Sequence, residues 1–326
     1  MLTRRALGLL APFCALPAQA QPAQAQPEWP DRPVRIIVPF GPGGAPDIQA
    51  RLMSQHFPAV AHGQPLLVEN RPGAGGTIGG ATTAQARPDG HTLLIGELGT
   101  TVLATELYRS LPYDPRALTP VIFLAALPML VTVRKDLPAE NVPEFLAYAR
   151  GKAGGVTYGT VGAGHIGQLT GEVMVNQAGG RVVPVTYRSG AEVLTALARG
   201  DIDFSILSMT SGMPGVQGGS VRAIAVTTAE RLPALPHLPP LASTVPGLVS
   251  TLWYGLVGPA GMPPALVQRM NAVFNQVLAV PEFQAALLQQ QGTTPIGGPP
   301  ERLAQHLAAE TARWVPVLRA AGVRPE

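Results

Sequence analysis

Three apolar runs early in the chain, Val34–Phe40, Leu66–Val68 and Thr92–Ile95, each end in a turn rich in glycine, threonine or asparagine. Short apolar runs alternating with helical patterns constrain the chain to an α/β architecture. In an open parallel sheet such turns lie together at the carboxyl edge of the strands, where ligands bind. The turns are Gly41-Pro42-Gly43-Gly44, then Glu69 through Thr77, then Gly96 through Thr101. A single turn of this composition carries little weight. Three in register point to a binding edge.

The first turn is the most informative. Its strand, turn and helix start read VRIIVPFGPGGAPDIQAR from Val34 to Arg51, with a helix expected from about Asp47 to His56. The first turn of a helix leaves N–H groups unpaired and carries partial positive charge, so it holds anions. Glycine lets the backbone approach a ligand and take φ > 0. The stretch is read as an anion-holding loop, against the plainer alternative of an ordinary strand-to-helix connection. Asp47 is either a helix cap alone or a cap that also meets ligand or water.

At 326 residues the chain exceeds the usual single core and suggests two domains. Only 13% of residues are charged and 46% are hydrophobic, which is globular rather than disordered composition. Net charge is +3 with no extended Lys/Arg cluster, so nucleic acid is not an expected partner. Arg4-Arg5, the apolar stretch Ala6–Leu16 and the small-x-small sites Ala18-Gln19-Ala20 and Ala23-Gln24-Ala25 mark residues 1–25 as a cleavable signal peptide. Thr3-Arg4-Arg5 leaves both the general and the twin-arginine export routes open. Cys14 is the only cysteine and lies in this leader, so the mature chain has no thiol chemistry. These features predict a periplasmic location.

The long apolar stretch Val121–Val133 is broken at Pro128 and reads as a crossing into a second domain. That domain has expected strands at Val156–Gly159, Val182–Val185, Ile202–Leu207 and Ala223–Val226, separated by helical patterns. Leu252–Val257 repeats the character of the first crossing. The stripe Leu266, Val267, Met270, Val273, Phe274, Val277 and Leu278 predicts a helix that returns to the first domain. The expected division is therefore 27–127 with 253–326 as one discontinuous lobe and 128–252 as the other, the two crossings forming a hinge.

Catalytic constellations do not emerge. G-x-S-x-G, H-E-x-x-H and G-x-x-x-x-G-K-[ST] are absent from the sequence, and its six histidines show no metal-ligand spacing. No cofactor is expected, and the chain is not expected to be an enzyme. Individual residues keep two readings. His165 is a ligand contact or a surface histidine; Tyr187-Arg188 is an anion-holding pair or a solvated edge; Glu97 is a pocket carboxylate or a surface one. Trp253 and Tyr254 read as hinge core rather than ligand stackers.

Several segments together resemble the Bug/TctC family, the periplasmic solute receptors of tripartite tricarboxylate transporters. They are Trp29-Pro30-Asp31-Arg32-Pro33, Ile37–Phe40 with Pro42-Gly43-Gly44 and Asp47, Val68–Gly76, Pro88–Leu94, Leu111–Pro115, Arg222–Thr227 and Trp253–Gly261. The resemblance implies a two-lobed periplasmic binding protein fold of type II kind, closing on a small carboxylate-bearing ligand in the cleft between lobes. It implies a pocket lined by Phe40, Gly43, Gly44, Ala45 and Asp47, by Asn70, Gly75, Gly76 and Thr77, and by Glu97, Gly99 and Thr100. From the second lobe it implies Thr160, Gly164, His165, Tyr187, Arg188, Leu207 and Ser208. It also implies a monomer that serves the membrane components of a transporter; a sensor subunit that signals to a kinase is the rival reading. The chain departs from the family pattern at Gly162–Gln168, at Leu207-Ser208 where an Asp-Asn pair is common, and at Glu97 where a small hydroxyl residue is common. These departures retain the carboxylate-holding end and alter the selecting end, toward an aromatic or longer aliphatic carboxylate.

Overall fold

A computed structural model of the chain describes residues 29–162 and 164–320. The leader expected at 1–25 lies outside the described residues. The first sheet is built from β1 (Val34–Val38), β2 (Leu66–Asn70), β3 (Thr92–Gly96), β4 (Thr119–Leu127) and β10 (Leu252–Gly258), in the order β2-β1-β3-β10-β4. The second contains β5 (Met129–Arg134), β6 (Val156–Thr160), β7 (Val182–Thr186), β8 (Phe204–Ser208) and β9 (Val221–Val226), in the order β7-β6-β8-β5-β9.

Within the first sheet β1 lies parallel to both neighbours, Val34 opposite Leu66 and Ile36 opposite Leu93, whereas β10 runs antiparallel to β3 and β4. The second sheet repeats the scheme: β6 is parallel to β7 and β8, and β5 is antiparallel to β8 and β9. The parallel strands need helical crossovers, which cover both faces and explain why β3 and β8 are buried along their whole length. Each sheet is the floor of one lobe.

The helices are α1 (Ala45–Val60), α2 (Thr77–Ala84), α3 (Ala104–Leu107), α4 (Val142–Gly151), α5 (Ile166–Gln177), α6 (Gly190–Arg199), α7 (Met209–Gln217), α8 (Pro264–Ala279), α9 (Pro281–Gln291) and α10 (Pro300–Ala320). The stripe expected on α8 is buried from Leu266 to Leu278, and it packs on α1, with Phe57 and Phe274 ring centroids 5.4 Å apart. The C-terminal helices thus close the first lobe.

Two details near the first turn differ from the expectation. β1 stops at Val38 rather than Phe40, because Pro39 has no N–H to continue the ladder. α1 begins at Ala45 rather than Asp47, because Pro46 suits a first helical turn whose N–H groups are unpaired anyway. In the second lobe, α7 follows β8 directly. Its sequence, MTSGMPGVQ, is rich in glycine and holds Pro214, so no helical pattern announced it.

The chain leaves the first sheet at Pro128, between β4 and β5, and returns just before β10. The return is pinned: Ser250 N–H donates to Thr227 O at 2.9 Å, and Thr227 Oγ1 donates to Ser250 O at 2.7 Å. α10 packs on β4, and His306 stacks on Phe123 (4.5 Å between centroids) and meets the Trp253 ring edge to face at 4.7 Å. Trp253 Nε1 donates to Glu310 Oε2 at 2.9 Å. One helix therefore clasps both crossing strands.

Candidate ligand-binding site

The loop from Pro39 to Gly44 is held from behind. Gly43 takes φ +81°, a left-handed conformation open to glycine, and Gly44 is the extended residue that caps α1 without a side chain. Asp47, at the third helical position, reaches back: its carboxylate accepts the Gly43 N–H at 3.0 Å, in the manner of a capping box displaced by one residue. It also accepts Asn70 Nδ2 at 3.0 Å and Arg51 Nε at 3.0 Å. Asn70 Nδ2 donates as well to Phe40 O at 3.1 Å. Burial raises the Asp47 pKa, but the hydrogen bonds from Arg51, Gly43 and Asn70 outweigh it and hold the group below the usual carboxylate range. Asp47 and Asn70 thus fix the loop, and neither lines either of the two cavities between the lobes.

The other two turns pack against this one. A Cβ at Gly76 would lie 2.6 Å from Thr100 Cγ2 and 3.1 Å from Pro39 Cβ, so all three strand ends converge on a glycine. Thr77 Oγ1 donates to Ala74 O at 2.9 Å. Glu97 is 1% exposed and turns into its own loop, where its oxygens accept the N–H groups of Gly99 and Thr100 at 2.9 Å each. Burial pushes its pKa up to about 7, against the lowering effect of those two N–H groups. Glu97 is therefore a buried loop carboxylate, neither a surface group nor a wall of the cavities described below.

Between the lobes lies an inner cavity of about 40 Å³. Of the residues expected at the site, Phe40, Gly44, Ala45, Thr160, His165, Leu207 and Ser208 line it. Four helix N-termini meet there: α1 at Gly44 and Ala45, α5 at His165, α6 at Ser189 and Gly190, and α7 at Ser208 and Ser211. No charged side chain is among its lining residues. Ser189 Oγ accepts the Glu192 N–H and Ser208 Oγ accepts the Ser211 N–H, both at 3.3 Å. His165 Nδ1 accepts the Gly167 N–H at 3.2 Å, and burial lowers the imidazole pKa to about 4. A neutral ring that accepts at Nδ1 carries its proton at Nε2, which makes His165 an uncharged donor.

A second, outer cavity of about 340 Å³ shares Phe40 and Val161 with the inner one. It is lined by Gly75, Tyr187 and Arg188 of the expected residues, together with Pro39, Pro72 through Ala74, Thr186 and Glu192. Gly43, Asp47, Asn70, Gly76, Thr77, Glu97, Gly99, Thr100 and Gly164 line neither cavity. Ser189, Gly190, Ser211 and Tyr254 line the inner one without having been expected there. The spacing Ser189-x-x-Glu192 was a legible helix start; α7 left no such signal.

The lobes touch through glycines. Gly41 N–H donates to Arg188 O at 3.0 Å across the cleft. A Cβ at Gly162 would lie 2.6 Å from Gly75 Cα, and the rings of Phe40 and His165 meet edge to face at 6.4 Å. This is a closed cleft whose backbones approach too closely for side chains. Among the described residues no group of three or more histidines, aspartates, glutamates or cysteines could hold a metal, and no helix is long and apolar enough to cross a membrane.

Residues 51–323 match the family described as tripartite tricarboxylate transporter family receptor. A Pseudomonas sp. (strain P51) protein of the UPF0065 group is 35% identical over 289 residues, covering 88% of this chain and 85% of that protein. An R. palustris protein solved with adipate superposes with a TM-score of 0.86 at 34% identity, covering 91% of this chain and all of the other. MatC from Rhodopseudomonas palustris, solved with malate, gives a TM-score of 0.83 at 31% identity over 89% of this chain and all of that one. With its two mixed sheets and interlobe cleft, the chain belongs to the TctC/Bug family of periplasmic solute-binding receptors.

Proposed function

We propose that this receptor captures a small organic carboxylate by lobe closure and presents it to the membrane components of a tripartite tricarboxylate transporter. The observation that carries the reading is the meeting of four helix N-termini around a buried cavity with no charged wall. Free N–H groups and aligned dipoles stabilise an anion there without a paired cation to desolvate. The adipate and malate held by the two structural relatives support a carboxylate as the anion. Closure desolvates the cleft and strengthens each charge-assisted hydrogen bond. The hinge runs through Pro128 and the segment before Leu252, so the lobe boundaries are 27–127 with 253–326, and 128–252. The protein works as a monomer, releases its ligand unchanged, and loses residues 1–25 on export to the periplasm.

Native mass spectrometry of the purified protein, followed by denaturation, identifies any solute carried along. A co-purified carboxylate, or a rise in melting temperature with members of a carboxylate panel, is the expected result. A panel that leaves the melting temperature unmoved while a cation or neutral sugar raises it overturns the reading.

A further inference from the structure

The chain that ends α9 and runs on to Gly297 ties distant parts of the molecule together. Thr293 Oγ1 donates to Ala126 O at 2.7 Å, and the N–H groups of Ile296 and Gly297 donate to Leu124 O and Phe123 O at 2.9 Å each. Residues 291–297 therefore follow β4 as that strand reaches the crossing at Pro128. Pro128 O in turn accepts the N–H of Met209, the first residue of α7, at 3.2 Å. Gly292 (φ +66°) sets the end of α9 beside the same methionine, where a Cβ would lie 3.4 Å from Met209 Cγ and Cε. A first-lobe segment and the start of a second-lobe helix thus hang on carbonyls two residues apart in one crossing.

Gln291 extends this tie to the cavity. It is fully buried at the last position of α9, and its Nε2 donates to Ala45 O at 2.7 Å. Ala45 opens α1 and lines the inner cavity. Asp47 and Asn70 hold the turn before it, through the Gly43 N–H and Phe40 O, and Gln291 holds the residue at which the helix begins. Gln291 Oε1 has no hydrogen-bond partner among the described residues. A buried amide with its acceptor unmet costs stability, so an apolar side chain of similar length would serve the fold about as well. What the amide supplies is a fixed position for the first carbonyl of α1.

We propose that Gln291 is a positioning residue of the binding site: through Ala45 O it holds the start of α1 in place relative to the start of α7, both being set from the crossing at 126–128. The inference rests on the reading of the inner cavity as the seat of the carboxylate. Helix N–H groups hold an anion best when they are aimed before it arrives, because a helix start that must be ordered on binding gives back part of the gain. Gln291 lines neither cavity, so its effect passes through Ala45.

Hydrogen–deuterium exchange and isothermal titration of the purified protein and its Gln291→Met and Gln291→Glu variants test this. Methionine keeps the length and removes the donor and the unmet acceptor together. Gln291→Met is expected to leave the unliganded melting temperature within about 2 °C of the parent. It is expected to speed amide exchange about tenfold at residues 44–49, but not across β1 or α8, and to weaken binding of adipate and malate about five- to tenfold. Gln291→Glu regains a donor only while its carboxyl is protonated. Its affinity relative to the parent is therefore expected to recover at low pH and to fall as pH rises, a profile that lost packing does not produce. Unchanged exchange and affinity in Gln291→Met overturn the positioning role, as does a loss accompanied by a lower melting temperature and faster exchange throughout the first lobe. Binding of neither acid by the parent tells against the carboxylate reading alone; the exchange comparison needs no solute and still decides the role of Gln291.

Discussion

Asp47 shows how a residue can matter to a site without touching it. Its carboxylate joins the loop to α1, to Asn70 and to Arg51, and removing it leaves the Gly43 N–H and one of the two Asn70 Nδ2 hydrogens without an acceptor, the other still meeting Phe40 O. Asp47→Ala is expected to cost about 1–3 kcal/mol in urea unfolding and to weaken ligand binding about tenfold. A depressed pKa stabilises the fold above the unfolded value near 3.8 and loses that stabilisation as pH falls through the folded value, so the gap between parent and variant should persist from neutral pH down to about pH 4 and close below it. Glu97 has the opposite sign. Its pKa rises from 4.5 to about 7, so its contribution favours the fold at low pH and declines as pH rises through that window. Relative to Glu97→Gln, the parent should lose at most about 3 kcal/mol between those limits and no more above them, read from denaturant midpoints across pH. The sequence marked both acids as candidates because both sit in glycine turns. It read Asp47 as a helix cap but carried no sign that the Glu97 oxygens face their own backbone, since that depends on where the turn places its N–H groups.

At the scale of elements, the strand-end turns and the paired crossings shape the cleft. Gly41 has no need of a left-handed conformation, yet a Cβ there would approach Arg188 O to 3.0 Å, a contact across the cleft. Gly41→Val is therefore expected to leave the unliganded melting temperature nearly unchanged and to weaken binding about tenfold. Small-angle scattering would show a ligand-induced contraction in the parent that the variant lacks. The clasp of α10 on the crossing strands is open to a different test. Trp253→Phe keeps the ring against Phe123 and His306 but leaves the buried Glu310 carboxylate without its donor, at an expected cost of about 1–3 kcal/mol in thermal or urea unfolding. Element order was legible where runs were strongly apolar, as in β3 and α8. It was illegible at α7, whose glycines and proline mask a helix that tertiary packing supports and whose first turn forms part of the cavity wall.

For the whole molecule, two similar sheets joined by paired crossings make a cleft across which backbones meet at glycines, Gly41 against Arg188 and Gly75 against Gly162, beside the rings of Phe40 and His165. The order of apolar runs, the break at Pro128 and the returning C-terminal stripe determined the α/β class, the two sheets and the edge of the first sheet at which its glycine-rich turns gather. Those are local properties, set by period, by a missing N–H and by a continuous apolar face. Only the tertiary structure decided that residues 44, 165, 189 and 208 bring four helix starts to one point, that Asp47, Asn70 and Glu97 bond to the loops and line neither cavity, and that Arg188 is the one cation lining the outer cavity. The physical reason is that convergence depends on strand order and lobe closure, which join residues far apart in the chain, and no local pattern encodes the distance between them.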